Sequence, residues 1–271
     1  MQNDWEIDID YPKTISCKTP KSLSEIPKVL SSESSVCALY YTLGYCRGLK
    51  HRKFLFRGHS DKIFELVSSL GRSKLPQNSD REKYQSLKKI CQKYSYEQFR
   101  HPSFNEELFY LSIGRHLSFT CRLLDWTFGF WDAISFILHD NFDKDGTLWV
   151  LSLPQDFEEE NRTPWDISDE RIHVLREHYY LPEDNPSLPL GIIRRYMQHG
   201  LFTVVENSML STPLNQIRDN GDDIKFYNFI VPVELKNELK GNKNIVPKDN
   251  LYIDTSAPIL NDIGLLNNST F

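Results

Sequence analysis

The chain has 271 residues, of which 39% are hydrophobic and 25% charged, with a formal net charge of −5; this is a globular composition with enough apolar material for a sizeable core. Aromatic residues at 13% and only 12 glycines exclude low complexity and disorder. No apolar run is long enough to cross a bilayer and Met1–Asp10 is acidic and polar, unlike a secretory leader, so a cytoplasmic protein with no membrane partner is expected.

The five cysteines (17, 37, 46, 91 and 121) include no Cys-x-x-Cys, which predicts reduced thiols and no zinc site. The charge is unevenly spread. Residues 44–100 hold 14 Lys+Arg against 5 Asp+Glu, a surplus of +9, and the remainder holds 18 against 32, a deficit of −14. A basic segment suits a phosphate-bearing ligand or nucleic acid, although Arg81–Lys93 reads more simply as the solvated face of a helix.

Residues 1–20 read as an irregular arm. Leu23–Leu30 reads as a short helix with Ser22 or Ser24 as N-cap, Ser31–Ser35 as a polar turn and Val36–Leu49 as a helix. Phe54-Leu55-Phe56 is a buried strand with a tight exit at Arg57-Gly58. Asp80–Phe99 carries Tyr84, Leu87, Ile90, Cys91 and Tyr94 at helical spacing, and Asn105–Leu117 is a second amphipathic helix. Phe130–Leu138 is a strongly apolar helix, and Thr147–Leu153 is a strand introduced by the Asp145-Gly146 turn. Residues 154–190, rich in acids and proline, read as a helix with long loops. Strands follow at Leu201–Val205 and Phe226–Val231, and helices at Val233–Lys240 and Ala257–Leu266. Without regular β-α alternation the pattern is that of an α+β fold.

The densest polar stretch is Arg115 to Thr127, flanked by apolar runs, where some charges must be buried and paired. Arg122 and Asp125 are the expected pair, with Asp125 in a structural role. Trp126 suits a core position or a stacking one, and Thr127 can cap the helix that follows or hold a ligand oxygen. His116 is either a general base or a structural hydrogen bonder. Arg57, at a strand end before Gly58, suits a phosphate that the backbone approaches closely, or clamps a carboxylate such as Asp125. Gln198-His199-Gly200-Leu201-Phe202 leads into a strand and presents an amide, or is a tight turn. No Walker loop, Gly-x-Ser-x-Gly, His-Glu-x-x-His or dinucleotide glycine triplet is present.

Together these elements resemble the FRG domain family, named for its Phe-Arg-Gly motif. Phe56-Arg57-Gly58 matches that motif, followed by Phe64-Glu65-Leu66, Ser68-Ser69-Leu70 and Arg72, which resemble the family's Leu-x-Pro-Ser-Leu-x-Arg continuation without its Pro. His116 and Arg122-Leu123-Leu124-Asp125-Trp126-Thr127 match the family's central motif, with Ala133 and Phe136 in the next helix. Arg194, Gln198, Gly200, Leu201 and Phe202 resemble a third element, and Leu251–Ile263 with Asp254 resembles the ending. The chain departs from the pattern at Arg115 (usually Gln), Ser118 (usually Gly) and Cys121 (usually Thr). The resemblance implies one domain over 21–265, between the arm and a tail at 266–271.

The family's layout is similar to that of ADP-ribosyltransferases, which implies a central, mostly antiparallel split sheet with an N-terminal helical portion. It also implies NAD as co-substrate, and a toxin or phage-defence effector that modifies nucleic acid or protein and is held by an antitoxin or immunity partner. In that analogy Arg57, His116, Thr127 and Gln198 are catalytic, and Arg57, Gly58, His116, Arg122, Thr127 and Phe202 bind the cofactor; no metal is implied. Those enzymes usually place a Glu where Gln198 stands, and an amide supplies no negative charge to an oxocarbenium-like centre; Glu206 lies eight residues further on. The alternative is a nucleotide or nucleic-acid binding module with the same pocket and no catalysis.

Overall fold

Residues 20–100, 102, 105–176, 200–217, 224–247 and 258–269 are described by a computed structural model. The first predicted helix is interrupted by Pro27, which disfavours helical backbone at Ile26. Only one 3-10 turn forms, Leu23–Glu25, and the chain then runs extended so that Val29 bridges Ile230. Helix α1 (Glu33–Lys50) starts inside the stretch read as a turn. Ser32 and Ser35 close a reciprocal capping box there, satisfying backbone N–H groups that a helix start leaves open.

Strand β1 (Arg52–His59) alternates, sending Phe54 and Phe56 to one core and Leu55 to another. The short helix α2 (Ser69–Arg72) follows, and then α3 (Ser79–Lys93). The helix predicted over 80–99 breaks at Ser95, which takes a left-handed φ of 61°. A separate 3-10 turn, Tyr96–Phe99, then buries Tyr96 and Phe99. Helix α4 (Glu106–His116) is capped by Asn105, and β2 (Leu124–Thr127) and α5 (Phe130–Leu138) come next. Strand β3 (Gly146–Pro154) matches the predicted strand. Strand β4 (His173–Leu175) lies where a helix with long loops was expected; three residues are too few to carry a period. Strands β5 (Gly200–Val204) and β6 (Lys225–Val231) precede α6 (Val233–Leu239) and α7 (Pro258–Asn268). The last helix runs into the segment expected as a tail, because Leu266 is buried and Asn267 bonds back to Ser118 and Thr120.

The architecture is α+β, as expected. Among the described residues the strands form one open six-stranded sheet in the order β4-β5-β2-β1-β3-β6, with antiparallel neighbours throughout. The sheet is continuous in its strand order, where a split sheet was expected, and it carries a notch. β1 pairs with β3 along its whole length, from Arg52 with Pro154 to His59 with Thr147, but it pairs with β2 only where Phe56 faces Thr127. Helices α1, α5 and α6 cover the β1–β3 half of one face, over Phe54, Phe56, Leu148 and Val150. Helices α3, α4 and α7 enclose a second core that includes Phe202 and Val204 of β5. Leu55, Leu124, Trp126, Leu151 and Leu201 form a third core, closed by the segments carrying Leu66, Leu70, Leu210 and Leu214.

Candidate functional site

The notch between β1 and β2 opens into a cavity of about 570 Å³, a size that suits a small-molecule ligand. Its wall is built from Phe56–His59 on β1 and Ser60 just after it, Asp125–Thr127 on β2, the end of α4, Arg72 of α2 and Phe136 of α5, with Ile63, Phe64 and Glu65 at its edge. Where the ladder between the strands stops, the Arg57 side chain takes its place. Its Nη1 donates to the Asp125 carbonyl at 2.7 Å, and its Nε donates to His59 Nε2 at 2.9 Å. Because His59 Nε2 accepts that bond, its Nδ1 carries the proton and donates to the Phe64 carbonyl at 2.9 Å. Burial first, and then the Arg57 charge, hold His59 neutral with a pKa of about 3.

Arg115 enters from the last turn of α4. Its Nε and Nη2 both reach Asp125 Oδ2 at 2.8 Å, while Arg57 Nη1 lies 3.6 Å from the same oxygen. The helix end that aims Arg115 is a Schellman turn, in which Phe119 N–H donates to the Gly114 carbonyl and Ser118 N–H to that of Arg115. Ser118 has φ 69°, a left-handed conformation that glycine adopts freely; this accounts physically for the glycine usual at that position. Arg72 is placed by α2, whose N-cap Ser68 accepts from Gly71 N–H, and its guanidinium donates to the Val67 carbonyl.

Three arginines therefore share one cavity with a single inward carboxylate, Asp125. Burial pushes Arg57 down to about 10, against the pull of Asp125 and with the push of Arg115 and Arg72. Burial and then Arg115 also lower Arg72. Burial works to lower Arg115, but Asp125 outweighs it and the net shift is upward. Asp125 is thus held mainly by Arg115, and the cavity keeps a surplus of positive charge; Glu65, on the edge, is exposed to solvent.

Of the residues singled out by sequence, Arg57, Gly58, His116 and Thr127 meet at this cavity. His116 is buried, with its ring 5.8 Å from that of Phe202. Thr127 Oγ1 accepts from Gly129 N–H at 2.9 Å and donates to Asp132 at 3.3 Å, so it closes the turn into α5 while lining the cavity. Gly58 meets α5: a Cβ there would sit on the Ala133 carbonyl oxygen. Close packing of helix on strand requires this glycine.

Two expected positions lie elsewhere. Arg122 is not paired with Asp125. It is 2% exposed and forms a two-pronged pair with the fully buried Asp80, Nε to Oδ2 at 2.9 Å and Nη2 to Oδ1 at 2.7 Å, while Nη1 reaches Asn207 at 2.6 Å. The Arg122 fork is satisfied in this way, and Arg122 is not part of the cavity wall. Phe202 is fully buried in the core behind His116 and does not line the cavity. Trp126 is 2% exposed and anchored through Nε1 to Thr203 Oγ1 at 2.9 Å, a core position at the cavity's edge. Gln198, like Arg194, lies outside the described residues. Glu206 precedes the 3-10 turn Asn207–Met209 and is not part of the cavity wall.

The wall residue His59 carried no motif, whereas Phe64 stood in the Phe64-Glu65-Leu66 stretch that follows Phe-Arg-Gly in the family pattern. Arg72 did carry a signal, as the last residue of the Ser-Leu-x-Arg element, and Arg115 stood out as a departure from the family pattern. The basic surplus of residues 44–100 is largely absorbed within the fold. Arg57 and Arg72 line the cavity, Lys83 is buried against the Asn267 carbonyl, and Lys53, Lys62, Lys88 and Lys93 pair with Glu159, Asp145, Glu106 and Asp262.

Residues 52–146 match the family model of the FRG domain. The chain carries an FRG domain. Every residue lining the cavity falls inside that segment, whereas the sheet begun there is completed by β4, β5 and β6 beyond it. Neither the curated proteins nor the solved structures contain a match. Among the described residues no group of side chains has the makings of a metal site, and no helix is long and apolar enough to cross a membrane.

Proposed function

We propose that the FRG cavity binds a phosphate-bearing nucleotide, with NAD as the expected one. The observation that carries this is the charge balance of the wall: Arg57, Arg72 and Arg115 against Asp125, with Glu65 exposed at the edge. Burial first, and then repulsion within the arginine cluster, lower Arg57 and Arg72, and a bound anion would offset that repulsion. The surplus matches the two negative charges of a diphosphate, and the guanidinium fork suits phosphate oxygens. Arg57, Arg72 and Arg115 would hold the phosphates, with His116 and Thr127 on the wall beside them.

ADP-ribosyl transfer is the second reading, and it is favoured by one feature, the Asp125 carboxylate on the cavity wall. NAD would supply the ADP-ribosyl group, with nicotinamide as leaving group, to a nucleic acid or protein target; a toxin or defence effector restrained by an antitoxin fits that chemistry. Against it, Asp125 is already neutralised by Arg115 and Arg57, so little of its charge is left for an oxocarbenium-like centre. Binding without catalysis is therefore the better-supported reading.

Calorimetric titration with pyrophosphate and with NAD tests the first reading. Both should bind, more weakly at high salt, and Arg57→Ala should lower the affinity at least tenfold. A folded protein that binds neither refutes it. Incubation with labelled NAD and total RNA, DNA or lysate tests the second: label transfer or nicotinamide release, lost in Arg57→Ala, supports it, and binding without either restricts the protein to the binding role.

A further inference from the structure

Large apolar side chains on the surface are few, and two of them are neighbours on the edge of the cavity: Ile63 is 68% exposed and Phe64 46% exposed. The segment that carries them is firmly held. Lys236 Nζ donates to the Ser60 carbonyl at 2.6 Å, and Asn141 Nδ2 donates to Ser60 Oγ at 2.8 Å. Asp61, itself buried, pairs with Lys144 at 2.7 Å and accepts from Ile63 N–H, while Lys62 N–H donates to the Asp145 carbonyl at 2.8 Å. His59 Nδ1 holds the Phe64 carbonyl. A phenyl ring on so constrained a backbone, with nearly half of its area left to solvent, is not accounted for by folding alone.

The ring is also tied to the charged end of the cavity. Phe64 stands edge to face with His59, ring centroids 6.0 Å apart at 76°, and the other side of that imidazole takes the Arg57 Nε proton. His59 is neutral, so no charge intervenes between the arginines and the phenyl group. A polar, cationic floor thus continues into a rigid apolar edge within two side-chain contacts.

We infer that Phe64, flanked by Ile63, is the stacking platform for the base of a nucleoside phosphate whose phosphates lie on Arg57, Arg72 and Arg115. This rests on the anion-binding reading above and narrows it from phosphate to nucleoside phosphate. Stacking of a flat ring on an exposed phenyl tolerates different bases, because every base has a π-face. The platform therefore selects for a base and does little to choose among bases.

The test compares inorganic pyrophosphate with ADP, by calorimetry, on the full chain and on Phe64→Ala and Phe64→Trp. In the unaltered chain ADP should bind more tightly than pyrophosphate. In Phe64→Ala the ratio of the two affinities should fall about tenfold, and Phe64→Trp should restore it. A thermal melt of each variant checks that the fold is kept. If the two ligands bind the unaltered chain equally, or the ratio survives Phe64→Ala, the platform is refuted while the anion site stands. If neither ligand binds the unaltered chain, the anion site itself fails, and the platform with it.

Discussion

Replacing either of two aspartates with asparagine should have different consequences, one for stability and the other mainly for ligand binding. Asp80 is fully buried and accepts three bonds from Arg122, from the backbone N–H at 3.0 Å, Nε at 2.9 Å and Nη2 at 2.7 Å. Asp80→Asn leaves the guanidinium buried without its counter-charge and turns amide hydrogens toward other donors. A broken buried pair costs about 3–5 kcal/mol, which for a chain of this size lowers Tm by roughly 6–20 °C. Asp125 is different. Its side chain is 23% exposed, so water screens part of its charge, and Asp125→Asn should cost only about 1–2 kcal/mol. It also removes the carboxylate that competes with a ligand for Arg115 and Arg57. One unit charge at about 10 Å and an effective dielectric of about 20 amounts to about 1.7 kcal/mol, so pyrophosphate should bind somewhat more than tenfold tighter. Thermal melts paired with calorimetric titration of both variants read out the difference. Equal losses of Tm, or weaker pyrophosphate binding in Asp125→Asn, would refute the division into a scaffold pair and a cavity pair.

His59 predicts a pH dependence with a definite sign. Its pKa falls from 6.5 to about 3 on folding, so the unfolded chain takes up a proton first as pH drops; its contribution is complete above about 6.5 and is lost as pH falls toward 3. Denaturant melts at pH 7.5 and 5.5 should show roughly 1.4 kcal/mol more loss in the unaltered chain than in His59→Gln, and equal losses would contradict the buried, neutral imidazole. Ser118→Gly should stabilise the chain by about 0.5–1 kcal/mol through relief of its left-handed backbone, raising Tm by a few degrees. A lower Tm in that variant would mean that the serine side chain contributes more than its backbone strain.

Several parts of the site were legible before any coordinates. Phe56-Arg57-Gly58 and Trp126-Thr127 marked the two strand ends that frame the cavity, since strand ends before a glycine or a helix start are where ligands and caps collect. Gly58 was flagged for close approach, but its neighbour is the Ala133 carbonyl and no ligand is needed to account for it. Arg122 and Asp125 were matched because they stand three residues apart. Arg122 pairs instead with Asp80, far off in sequence, and Asp125 with Arg115 of the same stretch and with Arg57 across the notch; charge alone does not say which carboxylate reaches which guanidinium. Phe202 was placed at the ligand by the family resemblance, yet its position on β5 sends its ring into the core behind His116.

By itself the sequence determined the α+β class, the FRG domain, most of the helices and strands, and the density of arginine around residues 57–122. These follow from local period, capping chemistry and motif order, which a short stretch of chain contains in full. Only the tertiary structure decided that β1 and β2 part after one paired register, that Arg57, Arg72 and Arg115 meet around Asp125 in the gap, and that Arg122 does not. The physical reason is that Coulombic pairing and cavity shape depend on distances through space, and those arise only when strands distant in sequence are laid side by side.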